Sequence, residues 1–247
     1  MTVTDAADQR HMARCLALAR GFVRSKIHNQ RVLLRRNGAP EEGDLVRLKD
    51  LAEQVDQAAD LAHLLGVEGE AAAIYFRRFN TMIRVEAPLR DTFSFETRNR
   101  RPPRDPVNCL LSFAYAVLVR ELTATLHGIG LDPYIGFLHQ PRFGRPALSL
   151  DLMEEFRPVL ADSAVLTAIN KGEVGPNDFL VHPTGCALTA DGKRAFVRAI
   201  ERRLDDVATH PVFQTKLSYR RILELQARGL SKVLMGELAA WPEYRVR

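Results

Sequence analysis

The chain has 247 residues, 46% of them hydrophobic and 26% charged, a balance that supports a buried core and excludes a disordered or fibrous polymer. Lys and Arg number 35 against 30 Asp and Glu, a formal net charge of +5, so where the charges lie matters more than their sum. The polar opening MTVTDAADQR lacks an apolar signal core, and the longest apolar run, residues 109–119 broken by Ser112, is too short to cross a bilayer. This predicts a cytoplasmic protein with no membrane partner. Cys15, Cys109 and Cys186 are scattered, without CxxC or Cys/His pairing, which predicts buried thiols rather than disulfides or structural zinc.

Residues 9–40 hold eight basic residues and no acidic one. Wound at helical pitch, Arg10, Arg14, Arg20, Arg24, Arg31, Arg35 and Arg36 share an arc of roughly 160°, with Met12, Cys15, Leu16, Ala19, Phe22, Val23, Ile27 and Leu34 opposite. This predicts an amphipathic helix ended by Asn37-Gly38. Residues 43–65 are helical and acid-rich, and Gly66 punctuates them before a second run over about 67–79. Both charge runs fit a solvated face as well as a polyanion-binding one.

After a break at Pro88, TRNRRPPRDP sets Arg98, Arg100, Arg101 and Arg104 around two prolines, which only a loop accommodates. Asp105 as N-cap and Pro106 at the first helical position open a long apolar helix, predicted to be the central one, running to Gly128-Ile129-Gly130. Residues 131–146 read as loop, with Ser149 capping the next helix. DFLVHPTGCALT alternates about Pro-Thr-Gly and predicts a small β-hairpin at about 179–189. Helices over 189–207 and 214–239 complete a mainly α, helical bundle-like single domain spanning 1–247.

Three stretches carry ligand-type residues. Glu68 lies between Gly66 and Gly69 at the predicted start of a helix; it suits a ligand, and equally a terminal carboxylate favoured by the helix dipole. His139 closes the apolar Gly136-Phe137-Leu138 and precedes QPRFGRP, where an imidazole is also a common hydrogen-bonded structural group. Asp151 and Glu154 share one helical face among apolar neighbours, a spacing also common on solvated helices. Together they offer oxygens and one nitrogen, a set suited to Mg²⁺ or Mn²⁺ beside phosphate-seeking arginines, and so to phosphodiester chemistry.

The blocks GVEGEAAAIYF, RPPRDPVNCLLSFAYAVL, GLDPYIGFLHQPRFGRPALSLDLMEEFRP and FLVHPTGCALTADGKRAF, in this order, closely resemble the C-terminal helical catalytic domain of the CRISPR-associated protein 1 family, the integrase-endonuclease of spacer acquisition. The resemblance implies metal ligands at Glu68, His139 and Glu154, with Asp151 holding metal-bound water or supporting the His. Tyr75, Asn108, Tyr115 and Arg157 also fall on family positions, in supporting roles. It further implies insertion of foreign DNA into a CRISPR array by 3′-hydroxyl attack. Duplex, branched and prespacer-end DNA would be held by Arg20, Arg24, Arg31, Arg100, Arg101 and Arg104, beside a small companion subunit. Family members carry an N-terminal β-rich domain that forms the homodimer, and this sequence opens on the first catalytic-domain helix, so dimer formation is not implied for it. Two other readings fit the residues: a non-catalytic helical DNA-binding or assembly module, and a metal-dependent hydrolase of small molecules that leaves the arginines idle.

Overall fold

The computed structural model describes residues 3–247, with side chains from Met12 onward, so Arg10 lies outside the described side chains. Helix α1 (Val3–Asn37) is followed by α2 (Glu42–Gln54), α3 (Leu61–Phe79), the single turn α4 (Leu89–Thr92) and α5 (Pro106–Gly128). Helix α6 (Ala147–Phe156) runs through a wider π turn, Arg157–Asp162, into α7 (Ser163–Asn170). The hairpin β1 (Phe179–His182) and β2 (Gly185–Leu188) precedes α8 (Ala190–Asp205), the hairpin β3 (Val207–Thr209) and β4 (Lys216–Ser218), and α9 (Tyr219–Leu234). The protein is mainly α, and its two sheets are separate antiparallel pairs.

Side-chain caps set several helix starts. Asp60 accepts from the His63 N–H at 2.7 Å, Asp105 from Asn108 at 2.8 Å and Thr189 from Gly192 at 3.1 Å, each satisfying a donor that the first turn leaves unpaired. The Asp60 cap relocates one predicted boundary: the break falls at residues 58–60, and Gly66 and Gly69 lie inside α3. Ser149 is likewise inside α6, its hydroxyl 2.8 Å from that of Thr123. The hairpin at β1–β2 pairs Val181 with Cys186. The β3–β4 pair corrects the last predicted helix, which begins at Tyr219 and not at 214, because three-residue strands are too short to show alternation.

The core is built around α1, against which α2, α3 and α6 pack; α5, expected to be central, lies against α6 and α9. Phe22, Val23 and Ile27 of α1 are fully buried, and the polar Ser25, Lys26, Asn29 and Gln30 are buried too. Helix α1 is therefore enclosed on more than its apolar face. By length and hydropathy α5 is sufficient to cross a membrane, contrary to the run-length argument, and in the fold its Leu110, Leu111, Leu122 and Leu126 are packed in the core.

Polar groups hold the C-terminal segment onto α1. Asn29 donates to the carbonyls of Glu155 and Tyr244, both at 2.8 Å, and accepts from the Val246 N–H at 3.0 Å. The buried Glu155 carboxylate accepts from Gln226 at 2.7 Å and from the Tyr244 N–H at 3.1 Å. Burial pushes its pKa up to about 8, against the pull of those two bonds. The folded state thus keeps a proton that the unfolded chain releases near 4.5, so this group's stabilisation is full below that value and is lost as pH rises through about 8. Melting midpoints taken between roughly pH 5 and pH 9 should fall with pH, and Glu155→Gln should flatten that part of the slope. Equal slopes in the two proteins would show that Glu155 ionises without cost.

Candidate metal centre

The loop before α6 is pinned by one carboxylate. Asp151, 0% exposed, accepts from the backbone N–H groups of Phe137, Leu138 and His139 at 2.5, 3.0 and 2.9 Å. Gly136 permits this approach: a Cβ there would stand 2.8 Å from Ala147 Cβ and 2.9 Å from an Asp151 oxygen. The same carboxylate lies 2.7 Å from His139 Nδ1. An acceptor at that position assigns the ring proton to Nδ1 and leaves the Nε2 lone pair free. Of the two tasks open for Asp151, the geometry gives it support of the imidazole, since its oxygens are taken by the loop and the ring.

His139 Nε2 faces Glu154, 3.7 Å from Oε1, and Arg157 Nη2 is 3.1 Å from the same oxygen. On the other side Lys26 Nζ lies 2.6 Å from Glu154 Oε2 and also pairs with Glu68 Oε1. The Lys26–Glu154 contact is an ion pair without hydrogen-bond alignment. Glu154 is 3% exposed, and burial alone would raise its pKa; the positive charges of Arg157 and Lys26 beside it work against burial, and the carboxyl is held well below its usual range. It is ionised at neutral pH.

Glu68 and Glu154 therefore meet at one ammonium, and His139 reaches Glu154. Among the described residues no three His, Cys, Asp or Glu side chains close on a common point as a ready coordination set; Lys26 stands between the two carboxylates. Glu68 sits in the second turn of α3, which begins at Leu61, and not at a helix start as predicted. Lys26 escapes a sequence reading because it sits outside the arginine arc, and a lone lysine on a basic helix gives no sign of facing two acids.

Behind Arg157 lies a second buried group. The π turn, a form of helix that often marks functional sites, brings Asp162 to Tyr75 and Tyr115, whose hydroxyls donate to it at 2.8 and 2.7 Å. Burial lifts the Asp162 carboxyl to about 6, against the pull of both tyrosines, Arg157 and Arg98. The Tyr115 ring carries Arg157 on it at 4.9 Å and Arg98 at 5.4 Å. Asn108 accepts from Arg98 at 2.7 Å and donates to the Thr97 carbonyl at 2.8 Å. Tyr75, Tyr115, Asn108 and Arg157 thus form one support behind Glu154. Asp162, which anchors the two tyrosines, carries no signal in the sequence, where it is one acid in an apolar stretch.

The arginines divide in two. Arg20 donates to the Ala58 carbonyl at 2.7 Å, Arg31 to that of Leu45 at 2.9 Å, and Arg24 pairs with Asp56 and Glu243. These three are engaged within the protein, which corrects the reading of α1 as an open phosphate-binding face: the acid-rich segment packs back on it. Arg98 is likewise turned inward. Arg100, Arg101 and Arg104 are exposed, and their backbone is held by the Cys186 N–H on the Pro103 carbonyl at 2.7 Å and by the Arg104 N–H on Asn99 at 2.8 Å.

This geometry sits in a sequence that matches a known family: the profile of CRISPR associated protein Cas1 matches residues 2–202. The chain belongs to the Cas1 family. A Cas4/endonuclease Cas1 fusion of Geobacter sulfurreducens is 51% identical over 240 residues, 94% of this chain and 43% of that protein. An endonuclease Cas1 of Thermus thermophilus is 47% identical over 94% of this chain and 67% of its own length. The chain thus spans about two fifths of the fusion relative and two thirds of the stand-alone one. Among solved structures, a chain of a partial Cas6-RT-Cas1–Cas2 complex superposes with a TM-score of 0.78 at 29% identity, over 94% of this chain and 68% of that one.

In this Cas1 chain Lys26 offsets a buried carboxylate, so Lys26→Met should cost roughly 3–5 kcal/mol in urea unfolding, the usual penalty for stripping one partner from a buried pair. Glu68→Gln, at a more exposed position, should cost clearly less. Equally small effects of the two substitutions would show that Lys26 contributes nothing to balancing Glu154.

Proposed function

We propose that this chain is a metal-dependent DNA endonuclease and integrase of CRISPR adaptation, acting in the cytoplasm. The observation that carries the reading is an imidazole oriented by Asp151, its free nitrogen turned to an ionised Glu154 that shares a cation with Glu68. A module that only binds or assembles leaves this buried polar arrangement without a task. The relatives named as CRISPR-associated endonucleases support the same class of reaction.

The donors fit a hard divalent ion: two carboxylates and one nitrogen, with Glu154 Oε2 lacking an aligned hydrogen-bond donor. Glu68, His139 and Glu154 would hold Mg²⁺ or Mn²⁺, which supplies Lewis-acid stabilisation of charge growing on a phosphodiester. The protein's own part is positional. Asp151 keeps the imidazole in one tautomer and orientation, Arg157 offers positive charge beside Glu154, and Arg100, Arg101 and Arg104 draw in the DNA backbone. The nucleophile is the 3′-hydroxyl of an incoming fragment, or water in cleavage: its oxygen bonds to phosphorus as the bond from phosphorus to the leaving oxygen breaks. No side chain becomes attached. A small companion subunit of the Cas2 kind is proposed on the strength of the complex matched above.

The decisive experiment is His139→Ala. Asp151 would keep its three backbone donors, so the melting midpoint should stay close to that of the parent, while Mn²⁺-dependent nicking and strand transfer on branched DNA should fall by about 10²-fold or more as the ion is no longer fixed in place. A destabilised variant that retains activity would make His139 structural and remove the proposed centre.

Replacing Arg100, Arg101 and Arg104 together should weaken DNA binding at low salt and lower the log–log salt slope by up to about 2.7, or about 0.9 for each phosphate that is no longer neutralised. Replacing Arg20 and Arg31 should leave that slope unchanged. The reverse pattern would restore α1 as the DNA face.

A further inference from the structure

Phe143 is the most exposed large hydrophobic side chain among the described residues, and it is held rather than dangling. The Arg145 N–H donates to the Arg142 carbonyl at 2.9 Å, closing a turn with Phe143 and Gly144 at its corner. Gly144 has φ +68, the left-handed conformation that a second corner residue of this kind requires and that glycine adopts freely. On one side the turn springs from His139, whose backbone is fixed on Asp151. On the other it enters α6, where the Leu148 N–H is tied to the Pro133 carbonyl at 2.9 Å. An aromatic ring is thus presented on a braced loop four residues along the chain from His139 of the candidate centre.

Its neighbours say what the ring meets. Arg142 is exposed and Arg145 half-buried, and neither guanidinium has a hydrogen-bond or ion-pair partner among the described residues. A flat apolar ring between two unpaired guanidiniums suits single-stranded nucleic acid, whose bases stack on aromatics while its phosphates take the charge. A purely apolar protein partner would have to desolvate both arginines without compensation.

We infer that Phe143 stacks on an unpaired DNA base beside the reacting phosphodiester, with Arg142 and Arg145 on the flanking phosphates. Phe143 follows His139 by four residues, a Cα-to-Cα span of at most about 14 Å. At about 3.4 Å per nucleotide step that backbone span corresponds to about four nucleotides from the phosphodiester facing His139. The stacking would favour branched or frayed DNA over intact duplex, a preference that the phosphate-binding arginines alone do not give. The inference rests on the DNA reading of this site.

The test places 2-aminopurine at successive positions about one to six nucleotides from the branch of a forked DNA, with the full chain as titrant and cleavage mapped on the same DNA. The expected result is a fluorescence change at a position within about four nucleotides of the cleaved bond, absent with Phe143→Ala. That variant should bind forked DNA roughly 5- to 150-fold more weakly with an unchanged melting midpoint, and Phe143→Trp should restore binding where Phe143→Leu does not. Persistence of the signal in Phe143→Ala, rescue by Leu equal to that by Trp, or an equal weakening on fully paired duplex would overturn the inference while leaving the DNA reading intact. Failure of the parent protein to bind forked DNA in a salt-dependent way would overturn both.

Discussion

A carboxylate ionised in the interior of a helical protein governs much of this structure. Removing such a charge from water costs several kcal/mol, and Glu154 is tolerated because three elements bring positive or polarisable groups to it: Lys26 from α1, Arg157 from the next turn of its own helix, and His139 from the preceding loop. Each requirement shapes the fold. Helix α1 must cross α6 closely enough for a buried lysine to span to Glu68 on α3. The loop must be pressed onto α6, which Gly136 allows and Asp151 enforces. The π turn must carry Arg157 inward, and it does so against a tyrosine ring.

The same physics separates structural from available charge. Arginines of α1 find carbonyls and carboxylates nearby and become part of the packing, whereas those around Pro102 and Pro103 stay in solvent on a backbone fixed by the β1–β2 hairpin. A guanidinium already satisfied offers little to a phosphate, so the basic count of residues 9–40 overstates what that segment presents to a polyanion. Behind the centre, Asp162 gathers two tyrosine hydroxyls and stiffens the support on which Arg157 rests. Its pKa of about 6 and that of Glu155 at about 8 mark the interior as a place where negative charge is admitted only when local cations offset it, which Glu154 has and Glu155 lacks.

Much of this was legible in the residues alone. Apolar periodicity, the Asp105-Pro106 start and the alternation about Pro-Thr-Gly located α1, α5 and the first hairpin, because those signals are local and strong. The ligand types at Glu68, His139, Asp151 and Glu154 stood out for the same reason: acids and an imidazole among apolar neighbours are costly unless they have a use. What the tertiary structure alone decided was partnership. That Asp151 serves the imidazole, that Lys26 joins Glu68, 42 residues along the chain from it, to Glu154, and that Arg20, Arg24 and Arg31 point to acceptors on other segments are all long-range pairings. A sequence read by period and spacing records which side chains share a face, but an ion pair depends on which faces meet, and only the packed chain brings them together.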